Sequence, residues 1–407
     1  MSTCPTPEEV GGRWRAARAV MPPGHLDAAG CNVPADRVLD AMTAHLRRER
    51  ERGGYAAVPD LTAARTALAA LVDPALVDPA LVDPALVDPA QSGSLQVALL
   101  ESGTAAMAAL LGGWRLGPGS RVGCARTEYG GTLMLLRRLA VQRGWRLVEL
   151  PVDGDARIDP DGVRARLASG LDLVVVSHVG SHHGVVQPAA ELAVLCRAAG
   201  VPFVLDVCQS LGHVEVRGIG ATAYVGTSRK WLAGPRGVGF LLVPELSPAM
   251  DAPAPTLSGH VWEGPGWERG EVAPVEGAAR FESSEGPIAA RAGLAAAVEE
   301  LYALGPSAVH AHLAELGRAA RALLDGVGGW RVAEPLDEPS ALVTLAPPPG
   351  DSAERAAARA AESSLLVGVV PAARAPLHLR EPVLRVSPPP GTSLDTLRAL
   401  AGILAAA

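Results

Sequence analysis

The chain has 407 residues, with 36 Lys and Arg against 43 Asp and Glu and a formal charge of −7, a balance that argues against nucleic acid or an anionic membrane surface as main partner. Mean hydropathy is positive, at +0.20, but the excess comes mainly from Ala and Val, and no uncharged apolar run approaches the roughly 18–20 residues of a membrane span. The basic residues divide into 35 arginines and a single lysine, Lys230; codon bias accounts for the arginines but not for the survivor.

The opening MSTCPTPEEV has neither a basic nor an apolar leader region, so a cytosolic protein is expected. The five cysteines, Cys4, Cys31, Cys124, Cys196 and Cys208, are odd in number and lack CxxC spacing, which fits reduced thiols better than disulfides or a zinc site. No metal is expected. Leu71 to Ala90 is the pentapeptide LVDPA repeated four times. A proline in each copy opposes a regular helix, so residues 71–90 read as an inserted low-complexity loop with no chemical role.

From about residue 95 to 245 short β-branched runs alternate with Ala/Leu-rich segments of helical period, the pattern of a mostly parallel α/β sheet. The strands expected are Arg121 to Ala125, Trp145 to Val152, Leu171 to His178, Pro202 to Val207 and Gly237 to Val243. Helices are expected over Thr132 to Gln142, Asp161 to Leu167 and Ala189 to Ala199. After the Pro/Gly/Trp-rich stretch Pro253 to Gly270 come two long helices, Pro287 to Leu304 and Pro306 to Leu324. Short strands near Trp330, Leu342, Leu366 and Leu384 follow, then a helix opening at Ser393. This tail reads as a separate α+β domain.

Chemistry concentrates around Lys230, in Thr227-Ser228-Arg229-Lys230-Trp231 ahead of a Gly-Pro-Arg-Gly turn. Partial desolvation and neighbouring positive charge lower the pKa of such an amine and suit it to Schiff-base formation. Asp206 ends an apolar run 24 residues earlier, where open α/β sheets bind ligands. A carboxylate there either caps a helix or pairs with a protonated pyridine nitrogen, with Gln209 one turn further on. Ser102-Gly103-Thr104 opens a helix after an apolar run, a site for phosphate. Arg385 emerges from the apolar run Leu384-Arg385-Val386, suited either to a bidentate grip on a substrate carboxylate or to a structural salt bridge.

Together these residues resemble the class V, cysteine-desulfurase-like branch of the fold-type I pyridoxal-phosphate enzymes. The ordered series is His25 to Ala29, Ser102-Gly103-Thr104, Glu128-Tyr129, Gly184 to Pro188, Asp206 with Gln209, Thr227 to Lys230, Arg280-Phe281-Glu282 and Arg385. The resemblance implies an α/β fold with a mostly parallel sheet in a large cofactor-binding domain, residues 21–270, after an N-terminal segment, 1–20. A smaller α+β domain, 271–407, completes it, and the enzyme is expected to be a homodimer. It implies that Lys230 carries the Schiff base, Asp206 holds the pyridine nitrogen and Gln209 contacts the phenolate oxygen. Gly103, Thr104, Thr227 and Arg229 would hold the phosphate, and Arg385 the substrate carboxylate. Tyr129 stands where desulfurases have a stacking His; its ring preserves the stacking, but a phenol is a poorer proton shuttle near neutral pH. Ser181 replaces the branch's common Asn, and Glu285 stands where a Thr would reach the other subunit's phosphate.

A desulfurase needs a mobile nucleophilic cysteine between the lysine and the arginine, and no cysteine follows Cys208. This excludes persulfide formation by the usual route and leaves β-elimination, transamination or epimerisation of a small amino acid. Gly53-Gly54-Tyr55, Ser181-His182-His183-Gly184 and Ser228 to Gly237 resemble carbon–sulfur lyases of the branch. The substrate of those lyases ends in a quaternary ammonium, which favours aromatic faces; Tyr55, Tyr129 and His182 are the candidates to meet it.

Overall fold

The computed structural model describes residues 5–74 and 96–406. The N-terminal region forms α1 (Pro7–Ala16), a short α2 (Ala28–Cys31), α3 (Asp36–Arg52) and α4 (Thr62–Val72). α4 runs two residues into the first LVDPA copy, whose Leu71 and Val72 are buried, because the copy's proline comes only at Pro74. The rest of the expected loop, 75–90, lies outside the described residues. Among the described residues no helix is long and apolar enough to cross a membrane.

The central sheet has seven strands: β1 (Val97–Leu100), β2 (Arg121–Ala125), β3 (Arg146–Leu150), β4 (Leu173–Ser177), β5 (Phe203–Asp206), β6 (Ala223–Thr227) and β7 (Gly239–Leu242), in the order β1-β7-β6-β5-β4-β2-β3. All pairings from β6 to β3 are parallel, and β7 alone runs against its neighbours. β4 and β6 are buried at every position, as expected of strands covered on both faces. The covering helices include α5 (Gly103–Gly113), α6 (Gly130–Arg143), α7 (Pro160–Ala168) and α8 (Ala189–Ala198). β1, β6 and the exposed hairpin β8 (His260–Glu263) with β9 (Glu271–Pro274) were not assigned from the sequence.

The two long helices are α9 (Ile288–Leu304) and α10 (Pro306–Leu324). A second, antiparallel sheet joins β10 (Arg331–Val332), β11 (Val343–Ala346), β13 (Val383–Val386) and β12 (Gly368–Val370) in that order. α11 (Ala353–Glu362) packs beside it and α12 (Leu394–Ala405) packs on α10 and α11, and the Ser393 side chain caps α12 by accepting from Thr396 N. The chain start is tied to this sheet. Leu26 N donates to Leu366 O at 2.8 Å, and Ala28 N to Ser387 O at 2.9 Å.

Candidate active site

The parallel strands end on one edge, and the chemically loaded residues leave the sheet there. Asp206 is the last residue of β5, flanked by Ser177 of β4 and Val225 of β6. Its Oδ1 accepts from Cys208 N at 2.8 Å. β6 ends at Thr227, and the following turn is tightly held: Ser228 N donates to Val238 O at 3.0 Å, Gly234 N to Ser228 O at 2.9 Å and Ala233 N to Lys230 O at 2.9 Å. Lys230 is therefore carried on a rigid turn beside Asp206. Burial, helped by the Arg229 and Arg385 cations, outweighs the pull of Cys208 and Asp206 and brings its amine down to about 8.

α5 points its N-terminus at the same place. Ser102 caps it, accepting from Ala105 N at 3.0 Å, while the amides of Gly103 and Thr104 precede the first intrahelical bond and are available to an anion. Gly103 is sterically required: a Cβ there would lie 2.5 Å from Cys208 Sγ and 3.2 Å from Gly226 O.

Gln209 is buried, and its amide orientation follows from its partners. The indole of Trp231, a donor only, gives its N–H to Gln209 Oε1 at 2.9 Å, so Nε2 is the side that donates to Ala29 O at 3.1 Å. His213 stacks on Trp231, ring centroids 3.7 Å apart, and accepts at Nε2 from Ala341 N, 2.6 Å. Its Nδ1 therefore carries the proton and donates to Gln209 O at 2.8 Å. Burial holds this imidazole neutral, its pKa down at about 3.

Tyr129 stands at the N-terminus of α6, steered by the buried carboxyl of Glu128. That carboxyl accepts from Tyr129 N and Ser177 N, each at 2.7 Å, and from the Ser177 hydroxyl. Burial raises Glu128 to about 7.

A cavity of about 170 Å³ is lined by Gly103, Thr104, Tyr129, Asp206, Gln209, Thr227, Arg229 and Lys230 together. Its charged lining is three cations, Arg229, Lys230 and Arg374, to one carboxylate, Asp206. An anionic ligand suits that field.

Three expected residues lie apart from the cavity lining. Arg385 is not a lone guanidinium: Nη2 donates to Asp27 Oδ1 and Nη1 to Ser181 O, both at 2.8 Å, and Nε is buried without a partner. The structural ion pair, one of the two readings of its sequence context, is present, and Ser181 connects it to the cavity wall. His182 is 1% exposed and lines a separate, smaller pocket with Glu128, its Nε2 2.9 Å from His378 Nδ1. Tyr55 is 88% exposed on the surface turn Tyr55–Ala57. Arg374, by contrast, lines the cavity and escaped the sequence reading, because Pro-Ala-Ala-Arg-Ala-Pro carries neither strand nor helix periodicity.

The fold, with a lysine and a strand-end carboxylate meeting a helix N-terminus, defines a class of enzyme. Residues 92–358 match the model of the aminotransferase class-V family, and the chain belongs to that family. Over 412 aligned residues it is 39% identical to a probable hercynylcysteine sulfoxide lyase of Mycobacterium tuberculosis, covering 99% of this chain and 95% of that protein. It is 32% identical to an isopenicillin N epimerase of Streptomyces clavuligerus, over 64% of this chain and 68% of the other. A cysteine desulfurase structure from Thermococcus onnurineus superposes with a TM-score of 0.81 at 19% identity, covering 100% of this chain and 99% of that one, which extends the likeness of fold to both sheets.

Proposed function

We propose that this protein is a pyridoxal-phosphate-dependent carbon–sulfur lyase that cleaves hercynylcysteine sulfoxide by β-elimination, working in the cytosol as a homodimer. The observation that carries the reading is the meeting of Lys230, Asp206 and the α5 N-terminus in one cationic cavity, in a chain with no cysteine after Cys208. The full-length likeness to the mycobacterial lyase supports the substrate.

The lining fits the cofactor. The amides of Gly103 and Thr104, the Thr227 hydroxyl and the Arg229 guanidinium would hold its phosphate, and Asp206 its ring nitrogen. The oriented Nε2 of Gln209 would meet its phenolate oxygen, the Tyr129 ring its face, and Lys230 its aldehyde. When bound, pyridoxal phosphate supplies an aldehyde for the substrate amine and a ring that stabilises negative charge at Cα.

The chain's own residues supply the rest. Arg385 binds the cysteinyl carboxylate, its buried Nε being a donor in want of an acceptor. Lys230, poised near 8, is the base that takes the Cα proton. The Cβ–S bond then breaks with its electron pair leaving on sulfur, and a sulfenate leaves more readily than a thiolate. The three-carbon fragment takes up water to give pyruvate and ammonia. Two-electron reduction of the sulfenic acid by an external thiol yields ergothioneine.

Pyruvate release from hercynylcysteine sulfoxide, compared with cysteine, cystine and the unoxidised thioether, tests the reading. Lys230→Ala is expected to abolish both pyruvate and the visible absorbance of the reconstituted enzyme. Protein that stays colourless after reconstitution refutes the cofactor assignment. The epimerase relative makes epimerisation or transamination the second reading; it predicts exchange of the α-hydrogen or amine without pyruvate.

A further inference from the structure

Arg374 sits on the turn Ala372–Arg374 between β12 and β13, and its side chain reaches the cavity that holds Lys230 and Asp206. The backbone of this turn is fixed. Arg374 N donates to Pro371 O at 2.9 Å, and Ala373 O packs so closely on α6 that a Cβ at Gly130 would lie 2.3 Å from it. His378, four residues on, is pinned to His182.

The guanidinium itself is barely engaged. Nη1 donates to Tyr129 Oη at 3.3 Å, and Cζ stands 5.9 Å from the Tyr129 ring centroid. Among the described residues it has no carboxylate partner within 4.0 Å. The other guanidiniums at the site each hold a protein acceptor beside the ligand role proposed above, Arg229 with Gly30 O and Arg385 with Asp27. A planar fork held at a cavity mouth without a protein anion is built for an anionic group of a ligand.

We propose that Arg374 determines specificity by gripping a second, distal carboxylate on the substrate, at the end remote from the reacting cysteine. This inference rests on the function proposed above. There the cysteinyl carboxylate goes to Arg385, and the trimethylated histidine end, which carries its own carboxylate, extends past Tyr129 toward the cavity mouth. A carboxylate there meets two parallel N–H donors of Arg374.

The test compares hercynylcysteine sulfoxide with its analogue in which only the distal carboxylate is a carboxamide. Pyruvate release gives kcat/KM for each. The wild-type enzyme is expected to prefer the carboxylate by about 10- to 100-fold, the range of a charge-assisted bidentate contact, with the difference carried mainly by KM. Arg374→Ala should reduce the preference to less than about threefold, and Arg374→Lys, which keeps the charge but not the fork, should retain an intermediate value. A wild-type enzyme without the preference, or an Arg374→Ala enzyme that keeps it, overturns the inference while leaving the lyase reading intact. Absence of pyruvate from the wild-type enzyme with either compound overturns the lyase reading and this inference with it.

Discussion

Gly103→Ala isolates the anion site at the head of α5. The added Cβ would sit 2.5 Å from Cys208 Sγ, about 1 Å inside the separation at which carbon and sulfur attract. Cys208 follows the end of β5 and Gly103 opens α5, so relief that does not come from turning the Cys208 side chain moves the helix start or the Asp206-Cys208 turn, and both line the cavity. Overpacking of this size costs about 1–3 kcal/mol. If the strain is released on the helix amides, cofactor affinity falls by about 5- to 150-fold. Titrating apoprotein with pyridoxal phosphate and following visible absorbance measures this directly. The steric cause is checked with Cys208→Ala, which removes Sγ and leaves a contact of 3.2 Å to Gly226 O. The double variant should recover most of the affinity, a non-additivity that marks a direct contact. Wild-type affinity in Gly103→Ala, or a double variant as weak as the single, would refute the argument.

The Lys230 amine, lowered from 10.5 to about 8, is about one-tenth neutral at pH 7 rather than about one part in three thousand. The initial rate of cofactor incorporation into apoprotein should therefore rise with pH and level off above about 8; a rise continuing past 10 would contradict the assignment. Glu128→Gln places an amide nitrogen against the amides and hydroxyl that now donate to the carboxyl, so unfolding free energy in denaturant should fall by about 1–3 kcal/mol; an unchanged midpoint would count against the contact. Burial depresses His178 and His183 to about 4 and His213 to about 3. Between those values and 6.5 the unfolded chain binds more protons than the folded one. The stability these rings contribute is thus present above pH 6.5 and is lost on acidification, by about 1.4 kcal/mol per pH unit and per ring. Urea midpoints that hold steady from pH 7 to pH 4.5 would show that the rings are not buried neutral.

The parallel strands were legible because burial on both faces leaves continuous β-branched runs. β2 matches its expected range, and β3, β4, β5 and β7 fall within theirs. β6 was harder to see because Gly226 and Thr227 dilute its apolar signal. The hairpin of β8 and β9 is exposed and rich in Gly and Trp, so no burial pattern marks it. The eight residues expected to bind the cofactor line one cavity because each sits at a strand end, at a helix start or in the turn directly after a strand, positions that local sequence encodes.

By itself the sequence determined the class of fold and the family it resembles, and it singled out its one lysine as the candidate for Schiff-base chemistry, since arginine replaces lysine as a surface charge but not as an amine that condenses with an aldehyde. Tertiary structure alone decided what the long-range partners are. Arg385 meets Asp27, 358 positions away along the chain, and Arg374 meets Tyr129, 245 positions away. Which guanidinium gains a protein carboxylate and which stands without one depends on what the folded chain brings within hydrogen-bond reach. Local composition carries no record of that distance.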